Sequence, residues 1–292
     1  MTLFDPDVAG EQPATTKQTP GADVGSGSGT AGNATLRLRL TVAYDGVSFR
    51  GFAAQPGQRT VGGELASAIE TVVGHAVEIG CAGRTDAGVH ASSQVVHVDV
   101  RADIAIERLV RSLNAMLAPT VVVLSAAEVP SDFDARRSAR ARRYRYLVLE
   151  SATAHPLLAP VAWQVPGPLD VRAMQSGADA LLGEHDFRAF CRRRPGSAPD
   201  TPILRRVLDA RLREVAVPSD ALAPGARLLR FDVEATSFCH QMVRSMVGVL
   251  VEIGRGRRRV ADVTSMLGSG NRSRNGGVIA PPHGLCLTGV DY

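Results

Sequence analysis

CAGRTDAGVHA, residues 81–91, is the stretch on which the reading of this chain turns. It stands between two strand-like runs. Residues 76–80 lead into it, and Val96, Val98 and Val100 alternate with other residues after it. Gly83 and Gly88 bracket a loop with a carboxylate, Asp86, near its middle and a guanidinium, Arg84, two residues earlier. Glycines at such places let the backbone turn sharply and let a ligand come close. An Asp-x-Gly run also describes a plain Asx-turn with Arg84 as its surface partner. The loop alone leaves both readings open, although RTDAGVHA is longer than a turn needs.

Working outward, Leu36, Leu38, Leu40, Val42 and Tyr44 alternate as a half-buried strand, and Asp45-Gly46 ends it in a turn. Leu65, Ala68, Ile69, Val72 and Val73 have the spacing of an amphipathic helix. Ile106, Leu109, Val110, Leu113 and Leu117 mark a second, followed by strands at 121–127 and 144–149. Near 168 the pattern starts again. Asp170 caps a helix with Val171, Met174, Ala178, Leu181 and Leu182 inward. Strands at 206–215 and 227–236 follow. Ser237 is then the expected cap of a helix carrying Met242, Met246, Val249, Leu250 and Ile253. A short helix at 260–267 and a strand at 284–291 complete the order. Strands and helices do not alternate strictly, so the expected class is α+β. The expected architecture is two similar lobes, 35–150 and 151–292. They share a mostly antiparallel mixed sheet flanked by helices, with a central, positively charged cleft. Residues 1–34 are rich in Gly, Ser, Thr and Pro and are expected to form a disordered tail. The GSGSG at 25–29 follows no strand and reads as linker.

Of the 33 basic residues among 292, only Lys17 is a lysine. The tail holds Asp5, Asp7, Glu11 and Asp23 against Lys17. With +4 overall and −3 in the tail, the remainder carries +7. A basic body is a weak hint of a polyanionic partner, and coding bias toward arginine accounts for the composition equally well. No apolar run approaches the roughly 18 residues of a membrane span, and no secretory signal pattern opens the sequence. Cys81, Cys191, Cys239 and Cys286 are scattered with no C-x-x-C, which argues against a zinc ribbon or redox motif and fits a reducing cytoplasm.

Residues 81–91 resemble the signature of the TruA family of tRNA pseudouridine synthases, whose catalytic aspartate lies in a G-R-T-D-x-G-V-H loop. Four more segments match in order. AYDGVSFRGF at 43–52 is similar to the family's first strand and turn, with Gly51-Phe52 where many relatives have Gly-Trp. FDARRSARARRYRYLV at 133–148 is similar to its Arg-Tyr-Arg-Tyr strand, and LLGEHDFRAF at 181–190 to its G-x-x-D-F-x-x-F helix end. FCHQMVRSMVGVLVEIGRG at 238–256 is similar to its M-V-R helix. The loop 191–203 and the segment 268–283 are the Gly/Pro-rich departures.

The resemblance implies an isomerase that converts uridine to pseudouridine at positions 38–40 in the anticodon arm of tRNA, with no metal and no cofactor. It implies a cytoplasmic homodimer whose partner is tRNA. Asp86 would be the essential carboxylate, paired with Arg244. Tyr144 would stack on the target base with a part in proton transfer at C5, and Arg84 would help extrude the nucleotide. Read without the resemblance, Arg244 is either a helix arginine snorkelling to solvent or a partner for an anion, and Tyr144 is a strand residue on the same face as Tyr146. Arg142 and Arg143 are candidate substrate contacts within the run Arg136, Arg137, Arg140, Arg142, Arg143 and Arg145. Arg192–Arg194 and Arg255–Arg259 are further clusters suited to phosphates. The histidines show no metal-ligand spacing, and His90 is a candidate hydrogen-bonder within the Asp86 loop. Two other classes stay in view. A non-catalytic RNA-binding protein would not need Asp86, Tyr144 and Arg244 together, and a carboxylate hydrolase would need a second acid, for which Asp186 is the candidate.

Overall fold

The alternation that opens at Leu36 becomes strand β1 (Thr35–Tyr44), whose Leu38, Leu40 and Val42 lie in the core. The structure, a computed structural model, describes residues 35–193, 196, 201–217, 222–272 and 278–292. The tail expected at 1–34 and parts of the two Gly/Pro-rich departures lie outside these residues. After β1 come α1 (Val61–Val73), β2 (Ile79–Cys81), β3 (His90–Arg101), α2 (Ile106–Leu117), β4 (Val121–Glu128), β5 (Ala141–Glu150) and β6 (Trp163–Val165). Then follow α3 (Val171–Asp179), β7 (Gly183–Asp186), β8 (Leu204–Val215), β9 (Arg227–Ala235), α4 (Met242–Gly254), α5 (Ala261–Ser269) and β10 (Leu285–Asp291).

The described strands form one sheet in the order β4-β1-β3-β10-β5-β9-β8-β7, with β2 also on β3 and β6 on β5. Pairing is antiparallel except for β3–β10 and β5–β6. The class is α+β, as expected. β10 stands between β3 and β5, so the strand latest in sequence joins strands from the first half of the chain.

The helices are stabilised by packing of apolar faces. Val61, Leu65, Ala68, Ile69 and Val73 of α1 are buried, and α1 packs beside α2. Thr60 caps α1 by accepting the Gly63 amide, and Asp170 caps α3 by accepting that of Ala173, as its sequence suggests. Every residue of α4 except Arg244 and Glu252 is buried. A helix apolar nearly all round is a core helix, so the two charged residues in it need partners.

Three expectations are corrected. Ser237 does not cap α4. The helix starts at Met242, after Gln241 in the left-handed region (φ 65°), because the preceding residues are held elsewhere, His240 by the Arg192 amide and Cys239 by its disulfide to Cys191. Residues 181–190 are not a helix end. α3 stops at Asp179, Leu182 is 40% exposed, and the chain pairs with β8 as edge strand β7 before a 3-10 turn at Phe187–Phe190. The cysteines are not all separate. Cys191 and Cys239, 48 residues apart in sequence, are joined in a disulfide with Cα atoms 5.8 Å apart, a contact that sequence spacing does not encode. Burial pushes the free thiols of Cys81 and Cys286 up to about 11.

Candidate active site

Asp86 sits in the connection from β2 to β3. The Val89 amide donates to the Asp86 carbonyl at 3.1 Å, and Gly88, third in this turn, has φ 78°. That is the positive-φ position of a type II turn, where glycine is the natural occupant. The loop is supported by a buried polar network. Tyr44 and Thr85 share a hydroxyl hydrogen bond of 2.7 Å. Fully buried Gln94 donates to the Gly83 carbonyl at 2.6 Å and to the Tyr44 hydroxyl at 3.3 Å, and accepts the Gly83 amide at 3.3 Å.

The 43–52 segment lies directly against this loop. The Phe52 amide donates to the Thr85 carbonyl at 3.1 Å, and the Gly88 amide to that of Phe49 at 3.3 Å. A Cβ on Gly46 would lie 2.0 Å from the Val89 carbonyl oxygen, so only glycine allows this approach. Two motifs that look independent in sequence are therefore one backbone-on-backbone unit. His90 reaches outside the loop. Its Nδ1 lies 3.2 Å from the Gly46 amide and accepts from it, and its Nε2 faces the carbonyls of Pro160 and His283 at 3.1 Å each. Two carbonyls can only accept, so Nε2 carries the proton.

Arg244 arrives from α4. Its Nε donates to the Ala280 carbonyl at 2.8 Å and its Nη1 to Asp86 Oδ2 at 3.1 Å. The Ala280 amide donates back to the Arg244 carbonyl at 3.0 Å, and the Tyr146 hydroxyl donates to the next carbonyl, Pro281, at 2.8 Å. The ion-pair reading of Arg244 thus matches the geometry. The carboxylate's other oxygen, Oδ1, lies 3.2 Å from His240 Nε2.

Tyr144, on β5 between β10 and β9, is buried, with its ring edge-on to Phe238 at 5.0 Å. Burial first, and the Asp86 charge second, hold its phenol far above the usual tyrosine range. The hydroxyl stays protonated at neutral pH and can donate a hydrogen bond.

These groups line a concavity of about 720 Å³ with Arg84, Arg136, Arg137, Arg142 and Arg205. Six arginines thus face it against a single carboxylate, Asp86, among the described residues. No carboxylate lies within ion-pair distance of Arg84, Arg136, Arg137 or Arg205 among the described residues. Arg142 is different. Its Nε, Nη1 and Nη2 donate to the carbonyls of Ala82, Ala139, Thr236 and Arg136, which uses all five N–H groups. It builds the wall and has none left for a substrate. Arg143 lies outside the lining and pairs with Asp291 at 2.6 Å. Asp186 is also outside it, accepting the amides of Arg188 and Ile203 and pairing with the Arg188 side chain. The second acid that a hydrolase would need is absent from the lining among the described residues. His240, Phe238 and Arg205 are site residues that the motifs did not single out. The first two lie inside the quoted 238–256 segment, and Arg205 becomes visible only through sheet pairing.

No group of three or more metal-ligand side chains comes together among the described residues, and no helix there is long and apolar enough to cross a membrane. The family model described as tRNA pseudouridine synthase matches residues 40–136 and 178–292. A "tRNA pseudouridine synthase A" of Frankia casuarinae is 43% identical over 261 residues, covering 88% of this chain and 89% of the relative. Proteins of the same name from Methylobacterium nodulans and Myxococcus xanthus are 44% and 42% identical, each over 88% of this chain and over 96% and 92% of their own length. Among solved structures, an archaeal box H/ACA sRNP Nop10–Cbf5 complex aligns over 84% of the chain and 61% of its own at 13% identity and TM-score 0.30, too slight a likeness to argue from. An α+β sheet carrying one carboxylate in an arginine-lined pocket suits a protein that handles a polyanion. The chain belongs to the tRNA pseudouridine synthase family.

Proposed function

We propose that the protein isomerises uridine to pseudouridine at positions 38–40 in the anticodon stem-loop of tRNA, with Asp86 as the essential carboxylate. The observation that carries this reading is that Asp86, the only acid among the described residues of a pocket lined by six arginines, is held by Arg244 at 3.1 Å. The reaction breaks the N1–C1′ bond, turns the uracil and forms a C5–C1′ bond. A proton leaves C5 and one is gained at N1, so no electrons or phosphate change hands. Both nucleophilic attack and proton removal require an ionised carboxylate, and the Arg244 guanidinium stands 3.1 Å from Asp86. Tyr144 offers a protonated hydroxyl and an aromatic edge at the place where the base would enter. Arg84, exposed at the rim, is suited to displacing the nucleotide from its stack. The unpaired pocket arginines suit phosphates. The family resemblance further supports a cytoplasmic homodimer with tRNA as its partner.

A non-catalytic RNA-binding protein on this fold would keep the arginines but would have no use for the Arg244–Asp86 pair. The test is Asp86→Asn, which keeps size and shape. It should fold, bind unmodified tRNA and make no pseudouridine. Pseudouridine formation by this variant would defeat the assignment.

A further inference from the structure

Arg244 alone leaves Asp86 half held. Its Nε is committed to the Ala280 carbonyl, so one arm reaches one carboxylate oxygen, Oδ2, at 3.1 Å. A carboxylate anchored at one oxygen can still rotate about its Cβ–Cγ bond. The opposite oxygen, Oδ1, faces His240 Nε2 at 3.2 Å. His240 is 44% exposed by side chain and lines the same pocket, so it does not serve to fill the core.

The backbone that brings His240 there is costly and heavily tethered. The next residue, Gln241, is the only non-glycine residue with positive φ among the described residues. Such backbone is strained for a residue with a side chain and persists only where its surroundings impose it. Three tethers impose it here. Arg272 donates to Gln241 Oε1 at 3.0 Å, the Arg192 amide donates to the His240 carbonyl at 2.9 Å, and Cys239 is bonded to Cys191. The left-handed residue reverses the chain just before α4. His240 and Arg244, four residues apart, therefore reach opposite oxygens of one carboxylate instead of stacking on one helix face.

We propose that His240 is a positioning residue for Asp86, its Nε2 standing against Oδ1 at 3.2 Å while Arg244 donates to Oδ2. The two contacts, one on each oxygen, fix the plane of the carboxylate. This inference rests on the proposed function for its kinetic effect but not for the contact itself.

The test uses the full chain and unmodified tRNA. His240→Ala should lower kcat roughly ten- to a hundredfold, the range of one charge-assisted hydrogen bond, with KM and tRNA affinity within about twofold of the parent. His240→Gln, which places an amide N–H at the same reach, should recover much of the loss. An unchanged kcat in His240→Ala overturns the proposal. So does a raised KM with kcat intact, which would make His240 an RNA contact, and so does a Gln variant as slow as Ala. A second readout needs no turnover. With histidine nitrogens labelled, Asp86→Ala should shift the His240 Nε2 resonance. A silent resonance overturns the contact, and a shifted resonance together with a parent chain that makes no pseudouridine upholds the contact while defeating the proposed function.

Discussion

Arg244 and Asp86 lie 158 residues apart in the chain and 3.1 Å apart in the fold, and the same guanidinium holds the Ala280 carbonyl at 2.8 Å. One planar group thus joins the Asp86 loop, α4 and the segment that leads into β10. A lysine ammonium offers no comparable fork. Arg244→Lys should therefore keep the charge but lower kcat by roughly tenfold or more, and Arg244→Ala should cost more. Rates on saturating unmodified tRNA check this, and a lysine variant as fast as the parent would show that charge alone suffices.

The Gln94 network supports the Asp86 loop from beneath, so its removal should be felt in both stability and rate. Gln94→Ala leaves the Gly83 amide and carbonyl without their partner, at a cost of about 1–3 kcal/mol. Calorimetry should show Tm falling by several degrees, at roughly 2–4 °C per kcal/mol in a chain of this size. A Tm equal to the parent's would remove Gln94 from the support of the loop.

Arg205 contributes charge to the pocket without an acid to neutralise it. Burial first, and Arg136 second, lower its pKa, and its Nε is buried with no partner in the structure. An incoming phosphate would relieve both conditions. Arg205→Ala should weaken tRNA binding and make the log–log salt dependence shallower by about one. Arg143→Ala, at a residue paired with Asp291 outside the pocket, should change the slope little. Binding isotherms at a series of salt concentrations distinguish the two, and equal slopes for the parent and Arg205→Ala would exclude Arg205 as a phosphate contact.

Asp134 shapes the arginine turn that supplies Arg136 and Arg137, accepting their amides at 2.8 and 2.7 Å. The Arg137 amide first, then that of Arg136 against the opposing effect of burial, hold its carboxyl below the usual value of 3.8. A carboxyl depressed in the folded state adds stability above its unfolded value and loses it as pH falls through the folded one. The Tm difference between the parent and Asp134→Asn should therefore be full at pH 6 and shrink as pH drops below about 4. A difference that stays constant across that range would remove Asp134 as its source.

What could be read from the chain follows from what is local. Alternation at 36–44, helical spacing at 106–117 and the Asp170 cap are effects of neighbouring residues, and all three reappear as elements of the fold. The pairing of Asp86 with Arg244 was legible only because five ordered motifs carried a resemblance, since nothing in the spacing of two residues 158 apart implies contact. Three-dimensional packing decided the rest. Gln241 delays the start of α4 because tethers from Arg192, Arg272 and Cys191 outweigh local propensity. Residues 183–186 become an edge strand because β8 lies beside them. Arg142 resembled an RNA contact until its surroundings claimed all five of its N–H groups.

The place of β10 has a further consequence, for the order in which the molecule can assemble. Until that strand docks, β3 and β5 each present an open flank of unpaired amides and carbonyls, and the two halves of the sheet have no shared seam. Such flanks invite pairing with other chains, and a seam closed by residues distant in sequence forms slowly. The segment carrying Ala280, which grips Arg244, leads directly into that strand, so the pocket gains its main cation only as the sheet is sealed. A chain caught half-folded would therefore be prone to aggregation and without the finished Asp86–Arg244 pair.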